Sequence, residues 1–402
     1  MGFSMYQIAI MGYGTIGSGV FDLVRENKEV LKRHAGDEVR VKYVLDIRQF
    51  PGDPVEEVLT ADVNDILNDP EVAVVVETMG GINPAFKFVS GALAAGKSVA
   101  TSNKELVAAK GTELLALARE NHVSFLFEAS VGGGIPLLRP VMNALTADRL
   151  ESVTGILNGT TNYILTRMAE EGAEFADALA EAQARGYAER NPAADVDGHD
   201  AKRKLAILMS IISGHFVDAE AVPTVGISDI SAKDTAAAKA VGYDIKLLAR
   251  GELNDGKVYA RVSPYMVPPS NPLNPVKGVF NSILIHGNMV DDVMFYGRGA
   301  GKEATASAVV GDVIDELKNP GKTIYPGWSE EPAAFVPAGD EMCAFFVRVK
   351  AGAAEEAAQL LPTVRCVSLA DGECGILTEV MKEGDLEAAG AKVEFVSVIR
   401  VL

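Results

Sequence analysis

The segment Met5-Tyr6-Gln7-Ile8-Ala9-Ile10-Met11 runs directly into Gly12-Tyr13-Gly14-Thr15-Ile16-Gly17, an apolar strand feeding a glycine turn that opens a helix. Val20, Leu23 and Val24 give that helix an apolar face. Glycines at this spacing do separate jobs. Gly12 permits a tight turn, Gly14 lets backbone N–H groups approach a pyrophosphate, and Gly17 lets the helix pack closely on its strand. The helix N-terminus then faces the phosphates with its partial positive charge. The pattern points to a dinucleotide grip, with a plain strand-to-helix turn as the competing reading.

The chain beyond this turn keeps alternating strand and helix. Strand-like Gln7 to Met11 is succeeded by a helix to about Lys32, then by Val39 to Leu45, Val72 to Val76, Ser98 to Ala100 and Val123 to Phe127, with helical stretches between. Such alternation predicts an α/β fold with a parallel sheet covered on both faces, a Rossmann-type dinucleotide-binding domain over residues 1–130. The second strand ends in Leu45-Asp46-Ile47-Arg48. There Asp46 can accept from the ribose 2′-hydroxyl of NAD, while Arg48 can pair with the 2′-phosphate of NADP. The balance leans to NAD.

Beyond residue 130 the texture changes to an α+β domain over 131–296: Gly132-Gly133-Gly134, a strand at Ser152 to Leu157, helices through about Gly214, and a β-rich stretch from Lys257 to Met294. Gly297-Arg298-Gly299-Ala300-Gly301, leading into a helix from Thr305 to Leu317, reads as a second glycine turn, so that about 297–318 completes the first domain. The Pro-rich, acidic residues 319–340 read as a linker. The remaining stretches, Ala344 to Val349, Ala353 to Leu361, Val364 to Leu369, Gly375 to Val380, Asp385 to Ala389 and Val393 to Val401, give the order βαββαβ over 341–402. That is a small ferredoxin-like domain, suited to ligand sensing or to dimerisation.

Composition narrows the partners. A formal net charge of −18 argues against nucleic acid or an anionic membrane surface. No apolar run approaches the ~18 residues needed to cross a bilayer. The three cysteines, Cys343, Cys366 and Cys374, have no metal-type spacing and fit reduced thiols in the cytoplasm. Small molecules remain as partners.

The densest ionisable cluster runs from Glu189 through Asp195 and Asp200 to Lys204, immediately before the apolar Leu205, Leu208, Met209 and Ile212. Asp200 and Lys204 stand at i,i+4 and so share one helix face. By themselves they make an ordinary surface ion pair worth ~0.3–0.5 kcal/mol. With Glu189 and Asp195 they are what a site needs to hold an α-ammonium group and carry a proton donor. A second lysine, Lys104 in Thr101-Ser102-Asn103-Lys104, falls just after a strand, at the sheet edge where ligands bind. It could orient a carbonyl oxygen or a carboxylate, or serve as an exposed loop lysine. Glu128, followed by glycine-rich backbone to Ile135, suits a hard cation or a domain hinge.

Taken together these motifs resemble homoserine dehydrogenases, in the monofunctional form without a fused aspartate kinase. The resemblance spans nearly the whole chain and rests on Gly12 to Gly17, Glu77-Thr78-Met79-Gly80-Gly81, Thr101 to Lys104, Glu128 to Pro136, Asn158-Gly159-Thr160-Thr161-Asn162, Glu189 through Lys204, and Gly299 to Thr305. It implies reversible NAD(P)-dependent reduction of aspartate 4-semialdehyde to homoserine, on the route to threonine, methionine and isoleucine. Lys204 is the implied proton donor, with Lys104 orienting the substrate and sharing in proton transfer. Glu189 and Asp200 would hold the amino group, and Asp195 would shape the pocket. The implied cofactor set is Gly12, Gly14, Thr15, Ile16, Gly17, Asp46, Arg48, Thr78, Met79, Lys104, Gly299 and Gly301. The family further implies a sodium ion on Glu128 and the carbonyls of Val131, Gly133 and Ile135. It also implies a homodimer, or a homotetramer, built through the second domain.

The chain departs from the family in two places. Leu45 stands before Asp46 where an arginine is frequent. The C-terminal domain resembles an ACT domain, yet Lys350-Ala351-Gly352-Ala353 replaces the usual Asp-x-Pro-Gly turn. The competing function is a catalytically idle nucleotide-binding sensor of an amino acid.

Overall fold

Six parallel strands carry the N-terminal part of the chain: β1 (Tyr6–Met11), β2 (Val39–Leu45), β3 (Leu59–Thr60), β4 (Val72–Glu77), β5 (Ser98–Thr101) and β6 (Phe125–Leu126). The computed structural model describes residues 5–319, 321–324 and 327–402. The spatial order is β3-β2-β1-β4-β5-β6, the doubly wound order in which a ligand sits outside the carboxyl ends of the strands where the order reverses, here between β1 and β4. Ile8 to Met11 and Val74 to Glu77 are fully or almost fully buried, as strands covered on both faces must be.

Two compact units divide the chain: Met1–Ala147 with Ala206–Ala219 and Gly297–Pro332, and Asp148–Leu205 with Glu220–Tyr296 and Ala333–Leu402. In the first unit, the helix Lys302–Lys318 packs on the helix Thr15–Glu26. A Cβ on Gly19 would lie 2.9 Å from Lys302 Cγ and 3.2 Å from Ala306 Cβ. Asp22 receives Lys302 Nζ at 2.7 Å. The helix expected to run to Lys32 is two, Thr15–Glu26 and Lys28–Ala35, broken at Asn27, a residue type that favours helix ends.

The second unit is built on an eleven-stranded sheet. Its main path is β12 (Asp291–Arg298), β11 (Phe280–Gly287), β7 (Leu150–Ile156), β9 (Asp244–Asn254), β10 (Lys257–Val267), β19 (Ser397–Val401), β15 (Met342–Lys350), β17 (Glu373–Thr378) and β16 (Thr363–Ser368). Two short strands join it, β14 (Ala334–Phe335) on β10 and β18 (Met381–Lys382) on β15, while β8 (His215–Phe216) pairs β13 (Ser329–Pro332) in the first unit. Strand β9 lies ahead of the β-rich stretch read from sequence.

The C-terminal elements run in the order expected, βαββαβ, with the short extra strand β18 inserted before the second helix; the helices are Ala354–Leu360 and Glu383–Gly390. They do not stand apart as an independent third domain: β19 pairs in parallel with β10, Tyr265 against Arg400 and Met266 against Val401. Tyr265 and Val267 share one buried apolar core with Phe345, Val347 and Ile376, and buried charge adds to it. Arg261 on β10, 6% exposed, binds Glu341 at 2.6 Å and Glu383 at 2.8 Å. An unpaired guanidinium there would be costly, so β10 and the residues after 340 are committed to one core. That stretch is itself not a bare linker, since Ser329–Pro332 and Ala334–Phe335 are strands; residues 320, 325 and 326 lie outside the described residues. Among the described residues no helix is long and apolar enough to cross a membrane.

Candidate active site

The glycine turn has the geometry its sequence predicts. Gly12 sits at φ +100°, and a Cβ there would come within 2.9 Å of Met79 Cγ, while a Cβ on Gly17 would lie 1.9 Å from Gly12 O. No such contact arises at Gly14, where nothing approaches within 4 Å. The helix Thr15–Glu26 has no side-chain cap and no acid in its first turn, so the N–H groups around Thr15 and Ile16 suit an anion. Thr78 and Met79 follow β4 at the reversal point, with Thr78 bonding to Met11 O (2.9 Å) through its N–H and to Gly12 O (2.9 Å) through its hydroxyl. Gly301 caps the helix Lys302–Lys318, and Gly299 O would lie 2.3 Å from a Cβ on Gly133.

Asp46 and Arg48, offered by the sequence as alternatives, form one unit. The Asp46 carboxylate accepts from Tyr13 N–H (2.9 Å) and from Arg48 Nε (2.9 Å) and Nη2 (2.7 Å). Arg48 also donates to Tyr13 O and lies over the Phe50 ring. The guanidinium, with the two backbone N–H donors, holds Asp46 well below the usual carboxylate range against the opposing effect of burial. Asp46 is thus a fixed anion beside the glycine turn, of the kind that receives a ribose hydroxyl.

In the second unit the acids and the lysine converge on Asn158. Asn158 caps the helix Gly159–Glu171, its Oδ1 accepting Thr161 N–H at 2.9 Å. Its Nδ2 donates both to Asp195 Oδ1 (2.7 Å) and to Asp200 Oδ2 (2.9 Å). Lys204 Nζ donates to Asp200 Oδ2 (2.7 Å) and to Leu157 O (2.8 Å). Only 9% of the Lys204 side chain and 6% of the Asp200 side chain are exposed. This is therefore no solvated surface pair; a buried charge pair survives only when hydrogen bonds satisfy it, as here. Burial pushes Asp195 up, reinforced by the Asp200 charge and opposed by Asn158 and Lys204. Glu189 is not in this hydrogen-bonded cluster: it is exposed on the loop ahead of the helix Ala193–Val196, its carbonyl held by Gln183 at 3.0 Å. Sequence reading placed Asn158 in a motif but gave it no role, and it did not name the Leu157 carbonyl; the strand-to-helix position of Asn158 is the signal of an N-cap.

Lys104, in the first unit, opens the helix Lys104–Glu120 just beyond β5 and is half-buried. Asn103 caps that helix through Leu106 N–H at 3.1 Å.

The loop after β6 corrects one expectation. Glu128 is buried, and its carboxylate already has donors: Leu137 N–H (2.5 Å) and Leu138 N–H (3.0 Å) on one oxygen, Arg139 N–H (2.7 Å) and Arg139 Nε (3.3 Å) on the other. It staples the start of the helical turn Pro140–Ala144, where backbone N–H groups lack helical acceptors. That carboxylate does not fit as a cation ligand. Val131, Gly133 and Ile135 form a turn with Ile135 N–H on Gly132 O at 2.9 Å. Among the described residues the one group of three metal-capable side chains, His286, Asp291 and Asp292, lies elsewhere, at the β11–β12 hairpin.

Comparison with known proteins agrees with this geometry. Residues 12–128 match the family model "Homoserine dehydrogenase, NAD binding domain", and residues 136–314 match "Homoserine dehydrogenase". The chain is 41% identical over 316 residues to a Bacillus subtilis homoserine dehydrogenase, covering 78% of this chain and 73% of that protein. The crystal structure of a homoserine dehydrogenase from Thiobacillus denitrificans superposes with a TM-score of 0.91 at 34% identity over 98% of both chains. A hyperthermophilic archaeal homoserine dehydrogenase in complex with NADPH gives a TM-score of 0.66 at 28% identity, over 79% of this chain and 99% of that one.

Proposed function

The chain belongs to the homoserine dehydrogenase family of NAD(P)-dependent oxidoreductases acting on a CH–OH group, and we propose how its own residues carry the interconversion of homoserine and aspartate 4-semialdehyde. When bound, the nicotinamide donates or accepts the hydride. Lys204 delivers a proton to the aldehyde oxygen as negative charge develops there, and takes it back in the oxidative direction. The buried, doubly anchored position of Lys204 supports this role, because a proton donor must be held in place before charge appears. Asp200 and Asp195, kept apart by Asn158, present carboxylate to the substrate ammonium, with the exposed Glu189 joining them on binding. Lys104 orients the substrate.

For the cofactor, Asp46 favours NAD, and Arg48 must leave Asp46 to meet a 2′-phosphate. A monovalent cation, if sodium as in the resemblance, is held by the carbonyls of Val131, Gly133 and Ile135 without the Glu128 carboxylate. The edge strand β12 exposes Met294 and Tyr296, with Met289 at 81% exposure in the preceding turn, and a second copy of the chain would cover them. The C-terminal βαββαβ elements make an ACT-like module joined to that sheet, and three free cysteines fit a cytoplasmic enzyme of threonine, methionine and isoleucine synthesis. Lys204, buried and held by two hydrogen bonds, opposes the idle-sensor alternative.

The test is homoserine-dependent reduction of NAD and of NADP by the purified protein, followed by reduced-nicotinamide absorbance. A rate with either, faster with NAD, is expected. No rate with both, from protein that binds the dinucleotide, would overturn the proposal.

A further inference from the structure

Glu77 ends β4 with its side chain entirely buried, at the point where the sheet order reverses. Its carboxylate accepts Met79 N–H at 2.7 Å on one oxygen and the Thr101 hydroxyl at 2.6 Å on the other. A buried carboxylate is expensive, and burial pushes Glu77 up while these donors pull it back. Such a group is worth its cost only if something depends on the arrangement it enforces.

Two segments depend on it. The first is Thr78–Gly81, where Thr78 ties back to Met11 and Gly12 and Met79 lies against Gly12. The second begins the helix that carries Lys104. Thr101 Oγ1, donating to Glu77, accepts Asn103 N–H at 2.9 Å, and Asn103 Nδ2 reaches back to Gly81 O at 2.6 Å. Asn103 Oδ1 then caps Leu106 N–H, and Lys104 N–H bonds to Ser102 O at 3.1 Å. One carboxylate therefore fixes the end of the loop that meets the dinucleotide and the first turn bearing Lys104.

We propose that Glu77 is a positioning residue for hydride transfer, acting through Thr101 and Asn103 to set Lys104 and the Thr78–Gly81 loop together. The inference rests on the substrate-orienting role given to Lys104. Glu77→Gln replaces one acceptor oxygen by an NH2 group facing either Met79 N–H or the Thr101 hydroxyl, and Thr101→Val removes the relay hydroxyl at nearly constant volume. Thr101→Ser keeps it.

Turnover at saturating homoserine and dinucleotide, and the dissociation constant of the reduced dinucleotide, should be measured for each, alone and with Lys104→Ala. Glu77→Gln and Thr101→Val are expected to lower kcat about 100-fold, the scale of a misplacement near 1 Å, and to weaken dinucleotide binding several-fold. Thr101→Ser should stay within threefold of the unsubstituted enzyme. Added to Lys104→Ala, either damaging change should lower kcat by less than threefold more, because both act through the same lysine. Losses that multiply fully with Lys104→Ala would mean a purely structural role and overturn the proposal. If Glu77→Gln does not fold, Thr101→Val alone decides. A Lys104→Ala enzyme with normal turnover would instead remove Lys104 from its role; dinucleotide affinity of Thr101→Val then decides Glu77, and unchanged affinity sinks it.

Discussion

Asn158 carries a helix cap and a pair of carboxylate bonds that can be removed separately. Its Oδ1 caps the helix Gly159–Glu171 and its Nδ2 holds Asp195 and Asp200 at 2.7 and 2.9 Å. Losing an N-cap costs about 1 kcal/mol, and each hydrogen bond to a carboxylate about 1.5–3 kcal/mol. Asn158→Ser retains a capping oxygen but neither amide donor, so it should destabilise the second unit by roughly 3 kcal/mol, taking the lower bound for both bonds. Asn158→Ala should cost about 1 kcal/mol more, the cap itself.

The catalytic effect should be of the same order as the structural one, since a 100-fold change in rate is about 2.7 kcal/mol. Without the amide, Asp195 and Asp200 face each other, Asp195 is pushed up further, and the oxygen that anchors Lys204 is free to shift. Homoserine oxidation by Asn158→Ser should show a raised KM and a kcat lowered about 100-fold, while dinucleotide affinity, which belongs to the first unit, holds. Urea unfolding monitored by circular dichroism gives the stability terms. An Asn158→Ser enzyme within threefold of normal kcat/KM for homoserine would refute the bridging role.

The first unit yields further expected outcomes. Asp46→Ala should weaken NAD by about 10-fold or more, one charged hydrogen bond, and NADP by less than threefold, in fluorescence titrations; equal losses would mean the carboxylate does not meet the ribose. Gly17→Ala should abolish dinucleotide binding or folding, because its Cβ would sit 1.9 Å from Gly12 O; calorimetry with NADH reads this directly. Asp312 is fully buried and raised well above its ordinary range by desolvation, with Arg139 opposing and Glu128 adding to the shift. Between the ordinary and raised values the folded chain keeps a proton the unfolded chain has lost, so this group makes stability fall as pH rises. Asp312→Asn should therefore gain on the unsubstituted protein as pH increases from about 4, measured as the difference between urea midpoints; a constant difference would contradict the assignment.

Local signals were legible and long-range ones were not. The glycine turn, β2 ending at Leu45 and Lys104 just after a strand were readable because strand and turn are contiguous there; that Lys104 opens a helix was not. Asp200 and Lys204 on one face were readable from i,i+4 spacing, but not their burial, which comes from the Leu157 carbonyl and Asn158 more than forty positions earlier in the chain. The union of β19 with β10 depends on Arg261 finding Glu341 and Glu383, which no local pattern shows. Glu128 was legible as an acid ahead of a glycine-rich turn; the donors its carboxylate meets were not, because they are the N–H groups of residues 137–139.

The most direct measurement is the turnover of Lys204→Ala in homoserine oxidation at saturating dinucleotide, alongside the dissociation constant of that dinucleotide. Loss of the proton-transfer group should lower kcat by roughly 100- to 10,000-fold, with dinucleotide affinity within twofold of normal. Turnover unchanged in a folded Lys204→Ala protein would show that the proton is carried by another group, and the assignment of this site would fail.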